Sequence, residues 1–185
     1  MSINFDEIID RRGTSCLKYD FAVERGYPKD VLPFWVADMD FRAPVPVIDA
    51  LTARAAQGIF GYTQVKDDYF DVLRDWFRMR HAWTVQRDEL VITPGVVFAI
   101  ATAIRAYTAP NEAVIIQQPV YYPFASMIRQ NGRTLIDSPL RFADGHYSIN
   151  FADFEQKIID HKVKLFVLCS PHNPVGRVWT RAELE

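Results

Sequence analysis

The run Val163-Lys164-Leu165-Phe166-Val167-Leu168-Cys169 passes directly into Ser170-Pro171-His172-Asn173-Pro174-Val175-Gly176, and this junction constrains the fold more than any other stretch. A short apolar run of this kind forms a strand buried on both faces, as in a parallel sheet. It has to stop at Ser170. The two prolines fix φ and withdraw backbone donors, while Gly176 permits a backbone angle that other residues resist. Asn173 is thereby presented at the carboxyl end of a strand, the edge where open α/β sheets bind their ligands. Asn between prolines also makes ordinary turns, so the turn by itself reads both ways.

The rest of the chain supplies the sheet. From residue 90, short apolar runs alternate with helical stretches, the pattern of βαβ units: a strand Leu90-Val91-Ile92-Thr93, a helix over 96–107, a strand over 113–117, a helix over 123–130, a strand over 133–136 and a helix over 151–159. Upstream, the sequence predicts a helix over 47–57 with Pro46 in its first turn and Gly58 as its cap. A second helix follows over 67–81, with Asp67 and Asp68 at its positive end, Arg78 and Arg80 at its negative end, and Tyr69, Phe70, Leu73, Trp76 and Phe77 on its buried face. One helical turn is expected at Phe5-Asp6-Glu7-Ile8-Ile9. The proline-interrupted stretch around Phe34-Trp35-Val36-Ala37-Asp38-Met39-Asp40-Phe41 reads as an ordered crossing segment. Thr180 and Glu183 form a capping-box pattern with almost no helix after it, so the sequence is expected to be the N-terminal part of something longer.

Composition narrows the classes of function. The 185 residues carry a net charge of −2 and are 49% hydrophobic, enough apolar material for one sizeable core. Basic residues are scattered, Arg11-Arg12 reading as a solvated pair, so nucleic acid is not an expected partner. Cys16 and Cys169 fit small apolar thiols in a reducing cytoplasm better than a disulfide. No run is long enough to span a bilayer, and the polar start Met1-Ser2-Ile3-Asn4-Phe5-Asp6 is no signal peptide. His81, His146, His161 and His172 show no metal-ligand grouping, and His172 reads as structural in its turn.

Three strand ends suit one ligand. Pro94-Gly95 opens a helix whose free backbone N–H groups could hold a phosphate, although Pro-Gly before a helix is more often a plain turn. Tyr121 and Tyr122 put two phenols where a planar ring could stack on one and bond the other, unless they form a core aromatic pair. Asn173 offers a neutral amide to an oxygen substituent or a carboxylate. Together they outline a planar phosphorylated cofactor.

The blocks Trp35-Val36-Ala37-Asp38-Met39-Asp40-Phe41, Gly61-Tyr62-Thr63, Pro94-Gly95-Val96-Val97, Pro119-Val120-Tyr121-Tyr122-Pro123 and Pro171-His172-Asn173-Pro174-Val175-Gly176-Arg177-Val178-Trp179 carry a family resemblance. In order and spacing they resemble the pyridoxal-phosphate-dependent enzymes of aminotransferase class I/II (fold type I), within them the cystathionine β-lyase branch typified by MalY and PatB. The resemblance implies a three-layer α/β/α large domain over 46–185, incomplete, with 1–45 belonging to the small domain and the crossing segment. It implies that Gly95, Val96 and Val97 hold the phosphate of pyridoxal 5′-phosphate, that Tyr121 stacks on the ring and that Asn173 bonds the ring oxygen and the substrate carboxylate. Tyr122 and Ala37 would line the substrate pocket. Tyr62 would reach the phosphate of the neighbouring subunit in a homodimer, while Asp38 and Asp40 would shape a turn.

The departures matter as much. The cofactor's chemistry needs a lysine for covalent attachment and an acid at the pyridine nitrogen, and neither is recognisable. Of Lys18, Lys29, Lys66, Lys157, Lys162 and Lys164, the last two precede their strand, and Lys66 is nearer the site but expected to be merely exposed. The activity implied is a carbon–sulfur β-lyase that removes the α-proton of an amino acid such as cystathionine, expels a thiolate and yields pyruvate and ammonia. Two alternatives stand beside it: an aminotransferase, and an inactive fragment or non-enzymatic interaction protein.

Overall fold

The computed structural model describes residues 4–185; Met1, Ser2 and Ile3, part of the polar start read above, lie outside the described residues. The chain forms two units, divided between Lys66 and Asp67.

In the first unit regular structure is sparse. A single 3-10 turn, Val23–Arg25, closes on Gly26 in the left-handed region, and helix α1 runs over Val45–Ala56. Pro46 sits in its first turn as expected, and Gly58, at φ +73°, sends its N–H back to Ala55 O at 3.0 Å. The helical turn expected at residues 5–9 does not form. Asn4 Oδ1 takes the N–H of Asp6 at 3.0 Å, a side-chain bond that competes with helical closure. The crossing segment is ordered by side chains: Tyr27 stacks on Trp35 at 4.7 Å, and Asp40 gathers three donors from residues 11–19. Arg11 is therefore no solvated partner of Arg12, because it pairs with both Asp38 (2.5 Å) and Asp40 (2.7 Å).

The second unit holds helix α2 (Asp67–His81), helix α3 (Val96–Tyr107), strand β1 (Ala113–Ile116), helix α4 (Pro123–Gln130), strand β2 (Thr134–Asp137), strands β3 (Arg141–Ala143) and β4 (His146–Ser148), helix α5 (Phe151–His161), strand β5 (Leu165–Phe166) and a one-turn helix α6 (Arg181–Leu184). Strands β2, β1 and β5 lie side by side in that order, all parallel, with Val114 opposite both Leu135 and Leu165. Period-2 alternation divides β1 between two cores. Val114 and Ile116 meet Ile104 of α3 and Phe124, Ala125 and Ile128 of α4, whereas Ala113 and Ile115 meet Ile136 of β2 and Phe154 and Ile158 of α5. Helices on both faces of a parallel sheet make three layers. All four residues of β1 are buried, which suits a central strand rich in Val and Ile. No described helix is long and apolar enough to cross a membrane.

Four elements differ from the sequence reading. The stretch 90–93 forms no strand, with Val91 84% exposed, because no described strand lies beside it to complete a ladder. The strand expected over 163–169 pairs only at Leu165 and Phe166 and is half-buried, since β1 covers one of its edges and nothing described covers the other. Helix α2 buries Phe70 alone; Tyr69 and Trp76 stay exposed, Trp76 lying against the Arg80 guanidinium at 5.0 Å. The β3–β4 hairpin was not read from the sequence. Its signal is Asp144-Gly145, both at positive φ, the geometry of a two-residue hairpin turn.

Candidate active site

Parallel pairing puts the exits of β1 and β5 at the same edge of the sheet. After β1 the chain continues Gln117-Gln118-Pro119-Val120-Tyr121-Tyr122 and enters α4 at Pro123. After β5 it runs to the turn 170–177, closed by His172 N–H to Arg177 O (2.7 Å) and Gly176 N–H to His172 O (2.8 Å). Helix α3 packs on the same sheet through Ile104. Its last turn lies at the amino edge, where Thr108 Oγ1 accepts from Arg133 Nε at 2.9 Å just before β2. Twelve residues at about 1.5 Å each make the helix some 18 Å long, so its first turn lies well away from that end.

The three groups differ in how they are held. Gly95 caps α3 at φ +111°, no side chain caps that end, and a Cβ built on Gly95 meets nothing within 4 Å. The N–H groups of Val96 and Val97 therefore have no intrahelical acceptor, and the helix dipole adds to their pull on an anion. Tyr121 packs edge-on against Phe124 (6.1 Å between centroids) and beside Tyr122 (5.5 Å), yet stays 38% exposed; Tyr122 is 77% exposed. One ring is thus braced and the other free. Asn173 is exposed, its N–H directed to Cys169 Sγ at 3.5 Å, which leaves the side-chain amide for a ligand. Open amides for a phosphate, a braced phenol face for a ring and a neutral amide for a ring oxygen fit pyridoxal 5′-phosphate in donor chemistry. Ala37 and Tyr62 belong to the first unit and are exposed there.

Behind the turn lie residues that sequence reasoning missed. Arg177 Nη2 pairs with Glu183 at 2.7 Å, its guanidinium covers Trp179 at 4.1 Å, and Nη1 meets His146 Nε2 at 3.0 Å and Tyr147 O, tying the β3–β4 hairpin to the turn. The i, i+2 spacing of Arg177 and Trp179 in an extended segment was the available signal. The Thr180 N–H, then its hydroxyl and Arg177, hold the Glu183 carboxyl below its usual range. At the end of β2, Ser138 donates to Asp153 of α5 at 2.6 Å and Lys157 pairs with Asp153 at 3.0 Å, so that carboxyl too is held low.

Two lysine ammonium groups are engaged elsewhere, and two further lysines lie at the opposite edge of the sheet from the strand exits. Lys18 is bonded to Asp40 at 2.8 Å, and Lys157 to Asp153 and to Asp137 O at 2.7 Å. Lys162 caps α5 and Lys164 N–H bonds Ala113 O, both at the amino edge.

A three-layer α/β/α fold on a parallel sheet, with donors suited to a phosphorylated planar ring, is consistent with the class of pyridoxal-phosphate-dependent enzymes, to which the comparisons assign the chain. The family model described as aminotransferase class I and II matches residues 29–185, and the chain belongs to that family. Cystathionine beta-lyase PatB of Bacillus subtilis is 45% identical over 98% of this chain and 47% of its own length. The protein MalY of Escherichia coli is 35% identical over 98% of this chain and 47% of its own length. Among solved structures, cystalysin from Treponema denticola, which contains pyridoxal 5′-phosphate, superposes with TM-score 0.88 at 38% identity, covering 100% of this chain and 47% of that one. The pyridoxal-phosphate-bound C–S lyase from Staphylococcus hominis gives 0.88 at 34% identity, again covering 100% and 47%. The chain thus spans about half the length of the relatives it matches.

Proposed function

We propose that this chain is the cofactor-cradling part of a pyridoxal-phosphate-dependent carbon–sulfur β-lyase acting on a sulfur amino acid of the cystathionine type, with a thiol, pyruvate and ammonia as products. What supports the reading is that Tyr121 and Asn173 follow β1 and β5 out of the same sheet edge while α3 opens on uncapped N–H groups, within a chain whose relatives include named cystathionine β-lyases. When bound, the cofactor supplies an electron sink for the pair released at the substrate's α-carbon.

The chain's own residues bind and orient. Gly95, Val96 and Val97 hold the phosphate through backbone N–H groups, and Tyr121 lies against the ring. The Asn173 amide donates to the ring oxygen and to the substrate carboxylate. Tyr122 and the Ala37 backbone line the substrate side, and Tyr62 serves the phosphate of a second copy, which makes the complete enzyme a homodimer. Residues 1–45 belong to a small domain and 46–185 to the large one, in a cytoplasmic protein. None of this chain's lysines is recognisable as the one that would attach the cofactor and move the α-proton, so the 185 residues alone are expected to be inactive.

Two measurements test this. Borohydride reduction with pyridoxal phosphate, followed by peptide mapping, is expected to leave this chain without a specific label; stoichiometric labelling of one lysine would make that lysine the catalytic candidate and overturn the assignment. In the complete enzyme, pyruvate release from cystathionine without any keto acid supports the lyase, whereas amino transfer that depends on an added keto acid overturns it in favour of an aminotransferase.

A further inference from the structure

We infer that His172 is a positioning residue for the candidate site: its buried imidazole joins the loop carrying Tyr121 to the turn carrying Asn173 and so sets the gap into which a planar ring fits, an inference that rests on the function proposed above. The last rung of the sheet between the two segments is Val167 N–H to Ile115 O at 3.0 Å. Beyond it β1 and β5 part, and the His172 ring bridges the two segments: Nε2 lies 3.1 Å from Pro119 O, and the Gln117 backbone also favours a proton on the ring. Pro119 lies two residues before Tyr121, and His172 one before Asn173.

The ring has little freedom. It is 2% exposed, sits edge-on to Trp179 at 5.3 Å, and belongs to a residue whose own N–H and C=O both close the turn. A proline carbonyl can only accept, so Nε2 carries the proton and donates, which leaves Nδ1 as the bare nitrogen. Nδ1 is buried without a partner among the described residues. Burial, with the Arg177 guanidinium adding to it, keeps the imidazole pKa below its ordinary value, although the backbones of Pro119 and Gln117 favour the protonated ring; Arg177 is itself paired with Glu183 and set against His146. The link is therefore made by neutral histidine and holds across neutral pH. Replacing His172 by an apolar residue strands the Pro119 carbonyl, whereas glutamine has a donor at a comparable reach.

The test compares His172→Leu and His172→Gln in the 185-residue chain by amide hydrogen exchange. His172→Leu is expected to speed exchange about tenfold in peptides covering 120–122 and 172–177 while leaving 113–116 and 124–130 protected, and His172→Gln is expected to restore most of that protection. Wild-type exchange in His172→Leu, or a uniform rise that includes β1 and α4, overturns the inference. So does failure of His172→Gln to restore the two loops while β1 keeps its protection. Pyridoxal phosphate added as a probe is expected to bind His172→Leu about tenfold more weakly than wild type. Absence of binding in every variant counts against the proposed function, and the exchange pattern still decides the role of His172.

Discussion

Asp40 accepts hydrogen bonds from Lys18 Nζ at 2.8 Å, Tyr19 Oη at 2.9 Å and Arg11 Nη1 at 2.7 Å. Lys18 is the largest influence and Arg11 the next, and together they hold the carboxyl well below the usual range, while Asp40 in turn raises the Lys18 pKa. The sign follows from linkage: a carboxyl depressed in the folded state contributes stability above its unfolded value near 3.8 and loses it as pH falls toward the folded value. Acidification below about pH 4 is therefore expected to release the crossing segment, with a change in emission from Trp35, which stacks on Tyr27. Asp40→Asn is expected to remove that acid step and to speed amide exchange over 38–41 at neutral pH. Fluorescence titration of both proteins checks this, and an unchanged acid step in Asp40→Asn would refute it. Asp40 was legible in the sequence as a turn former. Its partners were not, because a side-chain bond to a residue 22 or 29 positions away leaves no local pattern.

Among the elements, helices α2, α3 and α4 begin and end where the sequence places them. Their signals are local: apolar period, end charges, and the Pro or Gly that opens or closes them. Strands are less legible because a strand is a property of a pair. Leu90–Thr93 and the ends of 163–169 have strand composition but no described neighbour, and so no ladder. At the candidate site the prolines and glycines that stop strands made Gly95, Tyr121 and Asn173 visible. The buried tie at His172 was read as a turn feature, since nothing in Pro-His-Asn-Pro announces a bond to Pro119. Pairing also sets the energetics. Ile115, fully buried between β2, β5 and α5, is expected to cost about 2–5 kcal/mol on replacement by alanine. Val91→Ala, at an 84% exposed position, should stay within about 0.5 kcal/mol. Urea titration of the two variants decides whether the 90–93 stretch carries load in this chain, and a Val91→Ala cost near that of Ile115→Ala would show that it does.

For the molecule as a whole, the open edges and faces set its behaviour in solution. Among the described residues, the outer side of β5, the unpaired 90–93 stretch and the exposed Val47, Ile48 and Leu51 of α1 leave backbone donors and apolar surface uncovered. Such surfaces invite pairing with further copies. The isolated chain is expected to self-associate at micromolar concentration and to melt broadly; light scattering that shows a monomer with a sharp cooperative transition would count against this. The strand order has one more consequence. The middle strand of the sheet, β1, is also the earliest of the three in the chain, and β2 and β5 settle on its opposite sides in turn. A sheet laid down in this way grows outward from its centre, so no strand ever has to be threaded between two that have already joined.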